Sequence, residues 1–177
     1  MLRTLAMLML GGMLWITAAH TASATVAVSV PNYPTVAQLE AGWNNAFIAI
    51  LTAAHGAAPT ITETVTYHGT SGEIYVVSKF TIGTINGSIL GLAFDPKSAT
   101  SLGSGNYRYG AAHAFRCENS SSSSCSAIRS KFPNGDVQEK CNCNKGKGGS
   151  SLIPINGQLI GTYDLNPANY SGLPTMN

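Results

Sequence analysis

The sequence predicts an α+β fold: one long amphipathic helix packed on an antiparallel β-sheet of about six to eight strands, braced by disulfides. Three observations carry this expectation. Leu39, Trp43, Phe47, Ile50 and Leu51 recur at helical spacing. From Thr60 onward, apolar and polar residues alternate with the period of a strand. Cys117, Cys125, Cys141 and Cys143 form an even set in the C-terminal half of the chain.

The elements follow in order. Thr25–Val30 alternates polar and β-branched residues and stops at Pro31, a short strand. Thr35 and Gln38 have the spacing of a capping box, and Gly56 is a natural stop for the helix between them. The side of that helix away from the apolar stripe carries almost no charge, so it too is suited to being covered. Thr60–Tyr67 and Glu73–Ile85 read as strands around a small-residue turn, His68–Gly72. Asn86-Gly87 is the strongest hairpin signal, because a type I′ turn needs positive φ at both central positions. Ser88–Phe94 is almost continuously apolar, as a central strand would be, and Asp95-Pro96 ends it. Asn106–Cys117 resumes as one strand with Tyr107, Tyr109, His113 and Phe115 on one side, which makes His113 a hydrogen-bonded core histidine. Ser126–Phe132 and Val137–Cys143 flank a turn at Pro133–Asp136. Leu152–Ile155 and Gln158–Leu165 are expected to pair across Asn156-Gly157, with Pro154 confining the first to an edge.

The chain has 177 residues, enough for one domain with a real core. Only 10% are charged against 44% hydrophobic, which excludes a disordered tail or a solvated coiled coil. A formal net charge of +2 excludes a globally basic nucleic-acid binder. Met1–Ala24 has the form of an export signal: Arg3, an apolar run from Leu5 to Ile16, and Ala22-Ser23-Ala24 as an A-x-A cleavage site. Cleavage leaves a single α+β domain, residues 25–177. The apolar run is short for a bilayer and no second one follows, so no stable membrane insertion is expected afterwards. The expected location is secreted, periplasmic or cell-surface.

An oxidising compartment favours two disulfides. A Cys141–Cys143 bridge would close a strained tiny ring, so each of that pair is expected to join Cys117 or Cys125. Which joins which stays open. The metal alternative, His113-x3-Cys117 with Cys125 and Cys141-x-Cys143, lacks zinc spacing. No metal and no cofactor are expected.

Leu51-Thr52-Ala53-Ala54-His55 resembles the segment bearing the catalytic histidine of trypsin-like serine proteases, and Gly69–Gly72 resembles their nucleophile loop. The departures are decisive. Gly56 stands where those proteases have Cys, Thr70 where they have an acid, and His55 and Ser71 are too close in sequence for a two-barrel fold. A triad built otherwise would draw on Ser71, His55 or His68, and Glu63 or Glu73.

Between Asn106 and Ser150 lie seven basic residues against three acidic ones, with aromatic residues interleaved. Arg108, Arg116, Arg129, Lys131, Lys140, Lys145 and Lys147 are therefore the candidate anion-binding set, since cations neutralise phosphates while rings stack on bases. One helix followed by a meander with late cysteines resembles the layout of pilin headgroups, without a prepilin leader: Thr17 stands where its acidic residue belongs. The first functional expectation is an exported, non-catalytic surface or appendage subunit, pilin-like or adhesive, whose N-terminal strand adds either to an edge of its own sheet or to a neighbour's in self-assembly. The alternative is a secreted module that binds an anionic partner, a nucleic acid or acidic glycan, through residues 106–150. A small secreted hydrolase stands last.

Overall fold

A computed structural model describes residues 25–111, 113–119, 125–131, 137–143, 151–154 and 159–176. The segments read from the sequence as an export signal, a Pro133–Asp136 turn, an Asn156-Gly157 turn and a loop with Lys145 and Lys147 lie outside the described residues. Among the described residues the fold is mostly β-sheet with one α-helix and two disulfides. The strands are not gathered into one antiparallel sheet, as expected, but divided among several.

The strand β1 (Val26–Ala27) precedes the helix α1 (Val36–His55). The capping box forms as its spacing predicts: the Thr35 hydroxyl accepts the Gln38 N–H at 3.3 Å, and the Gln38 side chain accepts the Thr35 N–H at 2.9 Å. Gly56 ends the helix at φ +69°. Leu39, Trp43, Phe47, Ile50 and Leu51 are all buried. The opposite side, Ala37, Ala41, Asn45, Ala49 and Ala53, is exposed, against the expectation that it would be covered. Small side chains there ask for no shelter.

The strands β2 (Thr60–Gly69), β3 (Ile74–Ile82), β4 (Ile85–Phe94), β7 (Ala114–Asn119), β10 (Ser151–Pro154) and β13 (Thr175–Met176) form the main sheet, in the order β10-β7-β4-β3-β2-β13. Every pair is antiparallel except β13 with β2. β4 is buried from Gly87 to Phe94, the central strand its composition foretells. His68 lies within β2 rather than in a turn.

The Asn86-Gly87 turn is not formed. The chain turns instead at Gly83-Thr84, between the paired residues Ile82 and Ile85. Gly83 has φ +56° and Thr84 does not share the positive φ, the pattern of a type II′ turn. Gly87 is needed inside the strand, where a methyl group would strike the Phe80 ring.

α1 packs on one face of this sheet, over β2, β3 and β4. Asn44 joins the two layers: its side chain donates to the Thr64 hydroxyl at 2.8 Å and accepts from the Ser78 hydroxyl at 2.5 Å. The other face is covered by the hairpin of β8 (Cys125–Lys131) and β9 (Val137–Cys143). Within it Cys125 and Cys143 stand opposite each other and are bridged. The second bridge, Cys117–Cys141, ties β9 to β7. Both sulfurs of the Cys141/Cys143 pair thus reach the partners that the ring argument leaves to them. The Ser88 hydroxyl of β4 accepts the Ala127 N–H of β8.

Residues 106–117 are not one strand. β5 (Thr100–Gly103), β6 (Asn106–Gly110) and β12 (Thr162–Leu165) make a separate sheet, while Phe115 belongs to β7 in the main one. An alternating pattern does not register a change of partner, because both sheets bury alternate residues. His113 falls in the break and its side chain is 48% exposed, so it is no core histidine. Phe94, Tyr107, Tyr109 and Tyr163 join the two sheets edge to face, with ring centroids 5.5–6.3 Å apart. The expected pairing across Asn156-Gly157 is also absent. β10 pairs with β7 as an edge strand that tolerates Pro154, β11 (Leu159–Ile160) pairs with β1 in parallel, and β12 pairs with β6. Each pairs instead with a strand far away in the chain.

Candidate functional site

The polar side chains that could carry chemistry gather at three places, each joining separate elements. At the first, His55 in the last turn of α1 reaches the edge of β7. Its Nε2 lies 3.0 Å from a Glu118 carboxylate oxygen, and Arg116 Nε lies 3.2 Å from the same oxygen. Arg116 and Glu118 share a face because they are two apart on a strand, and that face is the one α1 covers. All three side chains are at least 86% buried. Burial pushes the Arg116 pKa down and Glu118 opposes it. The imidazole sits where the helix C-terminus gathers partial negative charge.

The second place is under the hairpin. Arg129 of β8 lies over the Tyr75 ring, 4.7 Å from its centroid, and faces Glu73 at 3.5 Å and Glu139 at 3.9 Å. Glu139 also faces His113 at 3.7 Å. The contact with His113 holds the Glu139 carboxyl below its usual range, burial opposes this, and Arg129 assists. The third place is the small sheet. Arg108 and Asp164 stand opposite each other on β6 and β12 and form a two-pronged pair at 2.7 and 3.1 Å. That hydrogen bonding holds the Asp164 carboxyl below the ordinary range.

Of the seven basic residues expected to bind anions, Arg108, Arg116 and Arg129 thus each face a carboxylate of the same chain. Lys140 is exposed on β9. Lys131 ends β8, and Lys145 and Lys147 lie outside the described residues. Of the triad candidates, Ser71 and Glu73 meet only through the Ser71 backbone N–H, which donates to the Glu73 carboxylate at 3.1 Å, while His55 engages Glu118, Glu63 pairs with Lys79 at 2.5 Å and His68 lies in β2. Among the described residues, no three of His, Cys, Asp and Glu are grouped to hold a metal ion.

Glu118 and Asp164 escaped the sequence reading. Arg116-x-Glu118 carried a usable signal, a like-faced pair on a strand, whereas Arg108–Asp164 and Arg129–Glu73 depend on pairings that no local pattern records.

Among the described residues, two surface grooves are lined by none of the residues of these clusters. One, of about 440 Å³, is lined by Thr62, Lys79, Thr81, Asn86, Cys125 and Ser126 among others. The other, of about 460 Å³, lies between residues 27–30 and 160–162. No helix among the described residues is long and apolar enough to cross a membrane. No protein-family model, curated protein or solved structure matches the chain, so its function has to be read from the geometry of its own residues.

Proposed function

We propose that this chain is an exported, non-catalytic subunit of a surface or appendage structure, pilin-like or adhesive in role. The observation that supports this is how its acidic groups are used. Every described carboxylate side chain has a partner within the chain. Glu40 accepts the Thr66 hydroxyl, Glu63 meets Lys79, Glu73 and Glu139 meet Arg129, Asp95 caps its own turn, Glu118 meets His55 and Arg116, and Asp164 meets Arg108. These groups fasten helix to sheet, hairpin to sheet and strand to strand. Two disulfides add to the bracing, as suits a protein that works outside the cell.

The test is fractionation with intact-mass measurement and electron microscopy of the surface fraction. The expected result is a chain starting at Thr25, with all four cysteines oxidised, in filaments or surface layers. A chain kept inside the cell with free thiols would overturn the reading.

The anion-binding alternative draws its remaining support from Lys140, exposed on the hairpin. Replacing Lys140, Lys145 and Lys147 by Ala should then weaken heparin retention and flatten its salt dependence by about one unit per lost contact. A wild-type chain that passes through heparin at low salt would end that alternative.

A further inference from the structure

Residues 25–30 form a strap, paired through its backbone and packed on the core through Val26, Val28 and Val30. Val26 and Ala27 pair in parallel with Leu159 and Ile160, and the Val28 N–H donates to the Ile160 carbonyl at 2.7 Å. The slot is cut for main chain by two glycines from distant elements. A methyl group at Gly161 would strike the Val28 carbonyl, and one at Gly42 of α1 would lie 2.5 Å from the Ser29 carbonyl. Val28 alone is fully inserted, at 4% exposure.

The strap reaches the helix through Pro31-Asn32-Tyr33-Pro34, and that hinge is strained. Tyr33 has φ +53°, the left-handed region that a bulky residue avoids, although its side chain is 48% exposed and nothing buries it there. Pro34 adds to the conflict, because the residue before a proline is driven to the extended region at negative φ. Tyr33 is held by its N–H to the Asp164 carbonyl at 2.6 Å, beside the Asn32 side chain, which accepts the Asp164 N–H at 3.0 Å.

We propose that the strap leaves its own slot for the identical slot of a second copy of this chain, with relief of the Tyr33 hinge as the driving difference. The contacts of residues 26–30 are remade in the neighbour, since both copies offer Gly42, Gly161 and β11, while the hinge gives up the Tyr33 and Asn32 bonds to Asp164. The extended hinge lets Tyr33 return to the region Pro34 favours, and neither proline has an N–H to lose. Reciprocal exchange closes a dimer and one-way donation propagates a chain. The inference rests on the surface-subunit reading and names the contact through which such a subunit assembles.

The experiment uses mature chains with one added cysteine each. Ala27 and Ile160 are opposed across the pairing and both exposed. Chains carrying Ala27→Cys and chains carrying Ile160→Cys are co-expressed, and non-reducing peptide mapping looks for a bridge between them, with the two native bridges checked in the same map. A mixed bridge is expected, and its yield should fall several-fold when Tyr33→Gly, which removes the cost of positive φ, is present in both chains. A second measurement needs no new thiol: light scattering should show less association for Tyr33→Gly than for the unaltered chain. A chain carrying both Ala27→Cys and Ile160→Cys that bridges only within itself at every concentration would overturn the exchange, as would association indifferent to Tyr33→Gly. Filaments that persist without mixed bridges would sink the exchange and leave the subunit reading standing; a monomer throughout would sink both.

Discussion

The two faces of the main sheet are closed by different chemistry. On the helix face, Trp43, Phe47, Leu39 and Leu51 fill the space, Asn44 and Glu40 hydrogen-bond across the layers, and the His55–Glu118–Arg116 cluster closes one end. On the hairpin face, β8 and β9 are held by Cys117–Cys141, by Cys125–Cys143, and by Arg129 set between two carboxylates and a tyrosine ring. A capped helix with a continuous apolar stripe buries enough surface to hold itself in place. A hairpin of Ser, Asn, Lys and Gln does not, and needs covalent and ionic ties. The difference teaches where each face will fail.

The largest effect should come from emptying the helix face. Trp43→Ala removes a fully buried ring and should cost about 3–5 kcal/mol in chemical denaturation, the same under oxidising and reducing conditions. A loss that appears only after reduction would show that the two faces do not act separately. Next in size is the bridge that carries the hairpin. The paired change Cys117→Ala and Cys141→Ala opens a link spanning 24 residues and should cost roughly 2–5 kcal/mol. Hydrogen exchange should place that loss in β8 and β9, with the amides of α1 keeping their protection. Equal loss of protection in α1 would merge the faces into one cooperative unit.

A third change probes the seam between helix and sheet edge. Glu118→Gln leaves His55 and Arg116 without their shared carboxylate and should cost about 1–3 kcal/mol, because a charge-assisted contact is lost in a largely buried setting. No loss by urea titration would mean that the three side chains merely pack there.

The same division explains what could be read from the sequence. The helix was legible to its ends, because Thr35, Gln38 and Gly56 act within a few residues and the stripe from Leu39 to Leu51 needs only its own period. The Cys125–Lys131 and Val137–Cys143 strands were legible for the same local reason. Failures came where a local signal met a stronger distant demand. Asn86-Gly87 has turn chemistry, yet Gly87 is required flat in β4 against Phe80, and Gly83 takes the turn. Residues 106–117 keep one alternation while changing sheets. The clusters were half visible: the arginines stood out as charge, whereas the carboxylates that face them come from strands far away in the chain.

The smallest effect, and the sharpest probe of the hairpin face, is its response to acid. Glu139 is held below the usual carboxylate range, chiefly by His113. A carboxyl whose folded value lies below its unfolded one binds protons more readily when unfolded, so stability rises with pH through that interval. Its contribution is complete above the unfolded value, about 4.3 for Glu, and is lost as pH falls through the depressed folded value. The contacts are long, at 3.7 Å to His113 and 3.9 Å to Arg129, and His113 is half exposed, so the pair should be worth under about 1 kcal/mol. Local opening of β8 and β9, followed by hydrogen exchange, should therefore become easier in acid, and Glu139→Gln should flatten that dependence while leaving opening of α1 unchanged. An unaltered acid limb in Glu139→Gln would mean that the contacts of Glu139 add nothing to that face, and would leave the bridges as its main hold.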